Sequence, residues 1–146
     1  MTYEFGARWT TKFTFNSPIN TNASVGANSA ISTTLSYLKD TRRLNPLQIV
    51  IGVPVVGWVF NNYTQLGDPK SNTNGADKTY TSLYNDYIKN SPANGWVKNW
   101  DDVCKQPYLT NIGTQQMIIY DDENAIAMML AALAQGHDRS LCEART

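Results

Sequence analysis

Between positions 49 and 53 the chain reads Ile49, Val50, Ile51, Gly52, Val53, and this run constrains the fold more than any other feature. A β-branched stretch that does not alternate with polar residues has no face to offer water. It therefore predicts a strand buried on both sides, as in a parallel sheet covered by helices. The residues before it agree. Ile31, Leu35 and Leu38 recur at helical spacing within 24–39, with Asn22 or Ser24 available as the N-cap. The chain opens on M-T-Y-E-F, where Met1, Tyr3 and Phe5 alternate with Thr2 and Glu4 as in a strand. Strand, long loop, helix and buried strand form a βαβ unit, which predicts parallel pairing of the two strands.

The pattern then changes. Residues 58–78 are rich in Asn, Gly, Asp, Ser and Thr, and Leu83, Tyr84, Tyr87 and Ile88 form a short helical stripe. NGWVKNWDD, PYL and QQMIIYDD follow as three β-prone pieces separated by turn residues, so an α+β insertion is the simplest account. DDENAIAMMLAALAQG predicts a helix capped by Asp121 or Asp122, with Ile126, Met129, Leu130 and Leu133 facing a core. The tail HDRSLCEART carries neither period.

At 146 residues and 42% hydrophobic content the chain fits one ordinary globular domain. Its 12 basic and 12 acidic side chains leave no electrostatic footprint for nucleic acid or an anionic membrane, so neither partner is expected. Cys104 and Cys142 match no metal-ligand spacing and read as two unpaired thiols. His137 is the single histidine and sits in the polar tail, which argues against a histidine-based catalytic triad or zinc site. No metal or other cofactor is expected. A basic segment followed by an apolar one is missing from the start, and no apolar run could span a bilayer. Either the chain is not exported by itself, or its natural N-terminus lies elsewhere.

The order of pieces carries a resemblance. MTYEF with Trp9, then NSPIN, IVIGVPVVGWVF, GWVKNWDDVCKQPYL and IIYDDENAI together resemble the C-terminal part of the family-18 glycoside hydrolases, the chitinases and their relatives, over about residues 1–130. The resemblance implies an α+β chain: a partial TIM (β/α)8 barrel of the chitinase type with an inserted small α+β domain. M-T-Y-E would be barrel strand six and the G-V-P segment strand seven. On that basis residues 1–57 hold two barrel strands with their loop and helix, 58–122 the insertion domain, and 123–146 the last helix and an irregular tail. The family's eighth strand has no counterpart, since G-H-D-R-S-L-C-E-A-R-T stands in its place.

The chemistry implied by the resemblance is retaining hydrolysis of β-1,4 N-acetylglucosamine polymers. The substrate's own N-acetyl oxygen attacks the anomeric carbon while one glutamic acid protonates the leaving oxygen. That glutamate ends a D-x-x-D-x-D-x-E motif, which this sequence does not contain. Asp121, Asp122 and Glu123 read instead as helix caps. Tyr3 matches the tyrosine that helps hold the N-acetyl group, and Glu4 stands where the family has an assisting aspartate. Its extra methylene would move the carboxylate by about 1 Å, enough at a reacting centre to cost on the order of a hundredfold. Met1 matches a methionine of the cleft floor. Trp9 aligns with a tryptophan on which a sugar ring stacks, with a packing role as the other reading. Trp96 and Trp100 match packing positions of the insertion domain. In the family's G-x-P-x-Y-G-R segment the last tyrosine and arginine are replaced by Val56 and Trp58. The polar contacts to sugar are lost, although Trp58 keeps a face on which a sugar could stack.

The expected partner is therefore chitin or an N-acetylglucosamine oligosaccharide, and the parent enzyme would be secreted. Lacking the general acid, the chain is expected to be inactive alone and to self-associate through exposed strand edges. Two other readings stand beside this: a non-catalytic, lectin-like chitin binder, and a truncated product without activity.

Overall fold

A computed structural model describes residues 2–71 and 73–143, with side chains up to residue 134. Met1 and the side chains of His137 and Cys142 lie outside the described residues.

Five strands form one sheet: β1 (Val56–Phe60), β2 (Ala76–Thr79), β3 (Val97–Asp101), β4 (Gln106–Asn111) and β5 (Gln116–Ile119). Their spatial order is β2-β1-β5-β4-β3, and every pairing is antiparallel. The three β-prone pieces after residue 95 are thus a meander, in which each strand pairs with the next through a short turn. Lys105 and Gln115 take left-handed conformations in those two turns. The register sets Val59 opposite Ile118 and Ile118 opposite Leu109, so one apolar row crosses three strands.

Because side chains alternate along a strand, the sheet has two apolar faces and both are covered. On one, Trp58, Phe60, Met117 and Ile119 pack with Phe13, Phe15, Ala7 and Cys104, drawn from the loop before residue 27 and the turn after β3. On the other, Val59, Leu109, Ile118 and Tyr120 pack with Leu83, Ile88 and Trp96. Leu83 and Ile88 come from α2 (Tyr80–Leu83), which widens into a π turn over Tyr84–Ile88 and is capped by the Thr79 hydroxyl, acceptor for Ser82 N–H at 3.3 Å. The sheet edges are blunted by charge: β2 carries Asp77 and Lys78, and β3 carries Lys98.

A third cluster lies outside the sheet. Ile19, Ile31, Ile51 and Met129 are buried together, with Phe5, Leu35, Val53 and Leu133 packed around them. It is built by α1 (Ile31–Ser36), continued by a π turn over Tyr37–Thr41, and by α3 (Glu123–Glu143). The first helix begins later than residues 24–39 predict. Asn22 caps a separate 3-10 turn, Ala23–Val25, which Gly26 ends in a left-handed conformation. Ala30 is the N-cap of α1; it has no side-chain oxygen to offer the first turn, but the Thr33 hydroxyl accepts the Ala30 N–H at 3.2 Å. Met129 is buried as expected, whereas Leu130 is half exposed and faces away from the core, and Ala125 is buried in addition. The last helix also continues through residues that read as an aperiodic tail.

The chain is α+β, but the predicted parallel pair is not formed: among the described residues neither 2–5 nor 49–55 enters a strand ladder. They lie side by side through a side chain. The Thr2 hydroxyl accepts Gly52 N–H and also meets Gly52 O, both at 3.0 Å. The backbone groups that a neighbouring strand would engage are already satisfied there. Val50 and Val55 point outward, so the run is not buried on both faces. No described helix is long and apolar enough to cross a membrane.

Candidate functional site

Of the predicted site residues, the fold brings Trp9 and Trp58 together. Trp58 follows Gly57 on β1 and is buried, whereas Trp9 sits on the loop covering that face and is 49% exposed. Their rings meet edge to face, with centroids 5.6 Å apart and planes at 77°. An indole edge carries partial positive charge and its partner's face partial negative charge, so this geometry is attractive beyond the area buried. Trp58 Nε1 is itself buried without a hydrogen-bond partner among the described residues.

The loop bearing Trp9 is held by backbone and side chain. Phe13 N–H donates to Asp68 O at 3.1 Å, Gly67 N–H to Phe13 O at 2.9 Å, and Lys70 N–H to Thr11 O at 2.8 Å. The Lys70 ammonium reaches Thr10 O at 2.6 Å and Arg8 O at 2.9 Å, while standing 5.0 Å above the Phe60 ring. Burial lowers its pKa below the ordinary lysine range. Lys70 lies in a polar loop, and nothing in the sequence marked it.

Tyr3 and Glu4 are both partly buried, near the start of the chain. The Tyr3 ring lies over Gly52 so closely that a β-carbon there would stand 2.5 Å from the ring. Glu4 has φ +64°, a left-handed conformation uncommon for a residue with a side chain and one that collects at functional sites. Trp96 is buried in the sheet core, as its packing role requires. Trp100 is more exposed than that role predicts, and its Nε1 donates to Asp102 Oδ1 at 3.2 Å.

The acidic cluster divides. Asp122 caps α3, accepting Ala125 N–H at 2.9 Å, and Glu123 occupies the first turn. Asp121 is not a cap. It is buried and accepts a 2.6 Å hydrogen bond from the Ser17 hydroxyl. Burial pushes its carboxyl up to about 6; the Ser17 hydroxyl and the nearby Gln106 amide oppose that, and Asp122 adds a smaller push upward. Cys104 is free and buried; burial, with Asp101 beside it, raises its thiol to about 12. Among the described residues no cluster of His, Cys, Asp or Glu could hold a metal ion. A cavity of about 390 Å³ between α1 and α3 is lined by Ile19, Leu35, Ile49 and Met128, and by none of the candidates above.

Solved structures share this fold. A chitinase from Rhizomucor miehei superposes with a TM-score of 0.79 at 17% identity, over 94% of this chain and 45% of that one. A family-18 N-acetylglucosaminidase from Paenibacillus barengoltzii gives a TM-score of 0.75 at 23% identity, over 93% of this chain and 40% of that one. In sequence, Chitinase A1 of Niallia circulans is 26% identical over 147 residues, which is 90% of this chain. The model of the glycosyl hydrolases family 18 matches residues 1–137, and the chain belongs to that family. It spans 21% of the length of the curated relative it matches.

Proposed function

We propose that the chain contributes one wall of the sugar-binding cleft of a family-18 chitinase and does not hydrolyse chitin by itself. The observation that carries this reading is the half-exposed indole of Trp9, held edge to face against buried Trp58. A pyranose presents apolar C–H bonds on its faces, and a rigid indole is a suitable surface for them. In the same reading residues 1–57 supply barrel strands six and seven, 58–122 the insertion domain and 123–146 the last helix. Tyr3 donates its hydroxyl toward the substrate N-acetyl group, with Glu4 assisting. Substrate assistance supplies the nucleophile but leaves the departing oxygen without a proton, and this sequence has no D-x-x-D-x-D-x-E to provide one.

Titrating the full chain with N-acetylglucosamine tetramer while following tryptophan fluorescence tests both halves. The expected result is weak, saturable binding that Trp9→Ala reduces, with no new reducing ends. Absence of binding overturns the cleft-wall reading, and release of reducing ends by chain free of contaminating chitinase overturns the inactivity.

A second observation concerns partners. Leu47, Val50 and Val55 are 68%, 88% and 73% exposed, a row of apolar side chains in a segment without strand neighbours. This supports self-association through residues 44–55. Sedimentation at increasing concentration should show species larger than the monomer, and Val50→Lys should restore the monomer.

A further inference from the structure

We propose that Lys70 is a positioning residue: its ammonium grips the backbone on both sides of Trp9 and, together with Trp58, fixes that indole as a preformed sugar platform. The inference rests on the reading of Trp9 as sugar-facing and adds what holds it in place. The two short contacts of the Lys70 Nζ are to the carbonyls of Arg8 and Thr10, the residues immediately before and after Trp9. Longer contacts, 3.3 Å to Ser71 O and 3.4 Å to Asn74 O, complete a ring of backbone acceptors around the charge.

An ammonium has three protons and no acceptor, so it can bind several carbonyls at once as no neutral side chain of its length can. Partial removal from water strengthens each of those bonds. The Lys70 ammonium is anchored in turn, since it stands over the ring of Phe60, which is fully buried two residues after Trp58 on the same strand. Trp9 is thus fixed twice: its ring by Trp58 and its backbone by Lys70, both referred to β1. A tryptophan on a loose loop must be ordered when a ligand binds, and ordering it beforehand improves affinity without any new contact.

The test uses the full chain labelled with ¹⁵N at the indoles, with the Trp9 signal assigned by Trp9→Phe and the Trp96 signal as reporter of the fold. Lys70→Met keeps an unbranched side chain of similar length and removes the ammonium and its three N–H groups. The expected result is a lower heteronuclear NOE for the Trp9 indole, an unmoved Trp96 indole, and binding of N-acetylglucosamine tetramer weaker by about three- to tenfold. Lys70→Arg, which keeps charge and donors, should recover part of both effects. If Lys70→Met disturbs Trp96, Lys70→Gln, with one amide and no charge, takes its place. An unchanged Trp9 NOE and unchanged affinity in the Lys70 variant, while Trp9→Ala weakens binding, overturn the clamp and leave the sugar reading intact. Unchanged binding in Trp9→Ala, or none in the parent chain, overturns the sugar reading and the platform role with it.

Discussion

Ser17 donates a 2.6 Å hydrogen bond to Oδ2 of Asp121, joining the loop after residue 13 to the residue that leads into the last helix. Because burial raises this carboxyl to about 6, the folded chain retains a proton that the unfolded chain releases near the ordinary 3.8. Uptake of that proton on folding is confined to the interval between those values. The stabilising contribution is therefore present in acid and is lost as pH rises through about 6. Asp121→Asn stays neutral and keeps an acceptor for Ser17. Urea unfolding at pH 4 and pH 7 should show the variant gaining on the parent by on the order of 2 kcal/mol across that interval. A parent chain that gains on the variant instead would contradict the assignment.

Cys104 should be chemically silent in the folded state. Its thiol is buried and its pKa is pushed up to about 12, so almost no thiolate exists near neutrality. Iodoacetamide at pH 8 is expected to leave the peptide containing Cys104 unmodified in the native chain and to alkylate it in urea. Mass spectrometry of the digest distinguishes the two, and rapid native labelling would sink the prediction.

Amide exchange should be slowest in the sheet. Val59, Leu109 and Ile118 share one buried row across β1, β4 and β5, whereas 2–5 and 44–55 have no ladder bonds. Protection of the 44–55 amides beyond those three would mean that the segment has found a strand partner, and would count against this order of stability.

Gly52 and Tyr3 should be coupled. A methyl at position 52 would stand 2.5 Å from the ring, so Gly52→Ala is expected to destabilise by about 1–3 kcal/mol through overpacking. In a Tyr3→Ala background the ring is gone and the same change should cost much less. Equal costs in the two backgrounds, measured by denaturant unfolding, would place the strain elsewhere.

What could be read in advance follows where local signals coincide with tertiary ones. β3, β4 and β5 were legible because β-prone pieces alternate with turn residues and pair with their sequence neighbours. Leu83 and Ile88 were legible through helical spacing, although Tyr84 of the same stripe is exposed. The run from Ile49 to Val53 misled because composition tells that a backbone is extended, not which groups satisfy it; the Thr2 hydroxyl takes Gly52, and a ladder does not form. Asp121 was hidden by its neighbours, since three adjacent acids before a helix look like caps and the sequence does not show which of them turns inward. The Trp9–Trp58 contact joins a loop to a strand 49 positions later, which no periodicity encodes. Leu130 and Trp100 show the converse, apolar residues at plausible core spacing that geometry leaves near the surface.

The order of the strands also carries a history. β1 pairs on one side with β2, soon after it in the sequence, but its other edge waits for β5, where Phe60 faces Met117. A ribosome adding roughly 5–20 residues per second would leave that edge open for several seconds, with its partner not yet made. The pair of β1 and β2 and the meander of β3, β4 and β5 can each close locally, so the pairing of β1 with β5 is the one that joins the most distant strands, along a single seam. Until that seam closes, the growing chain carries an unpaired strand edge of the kind that pairs with other chains.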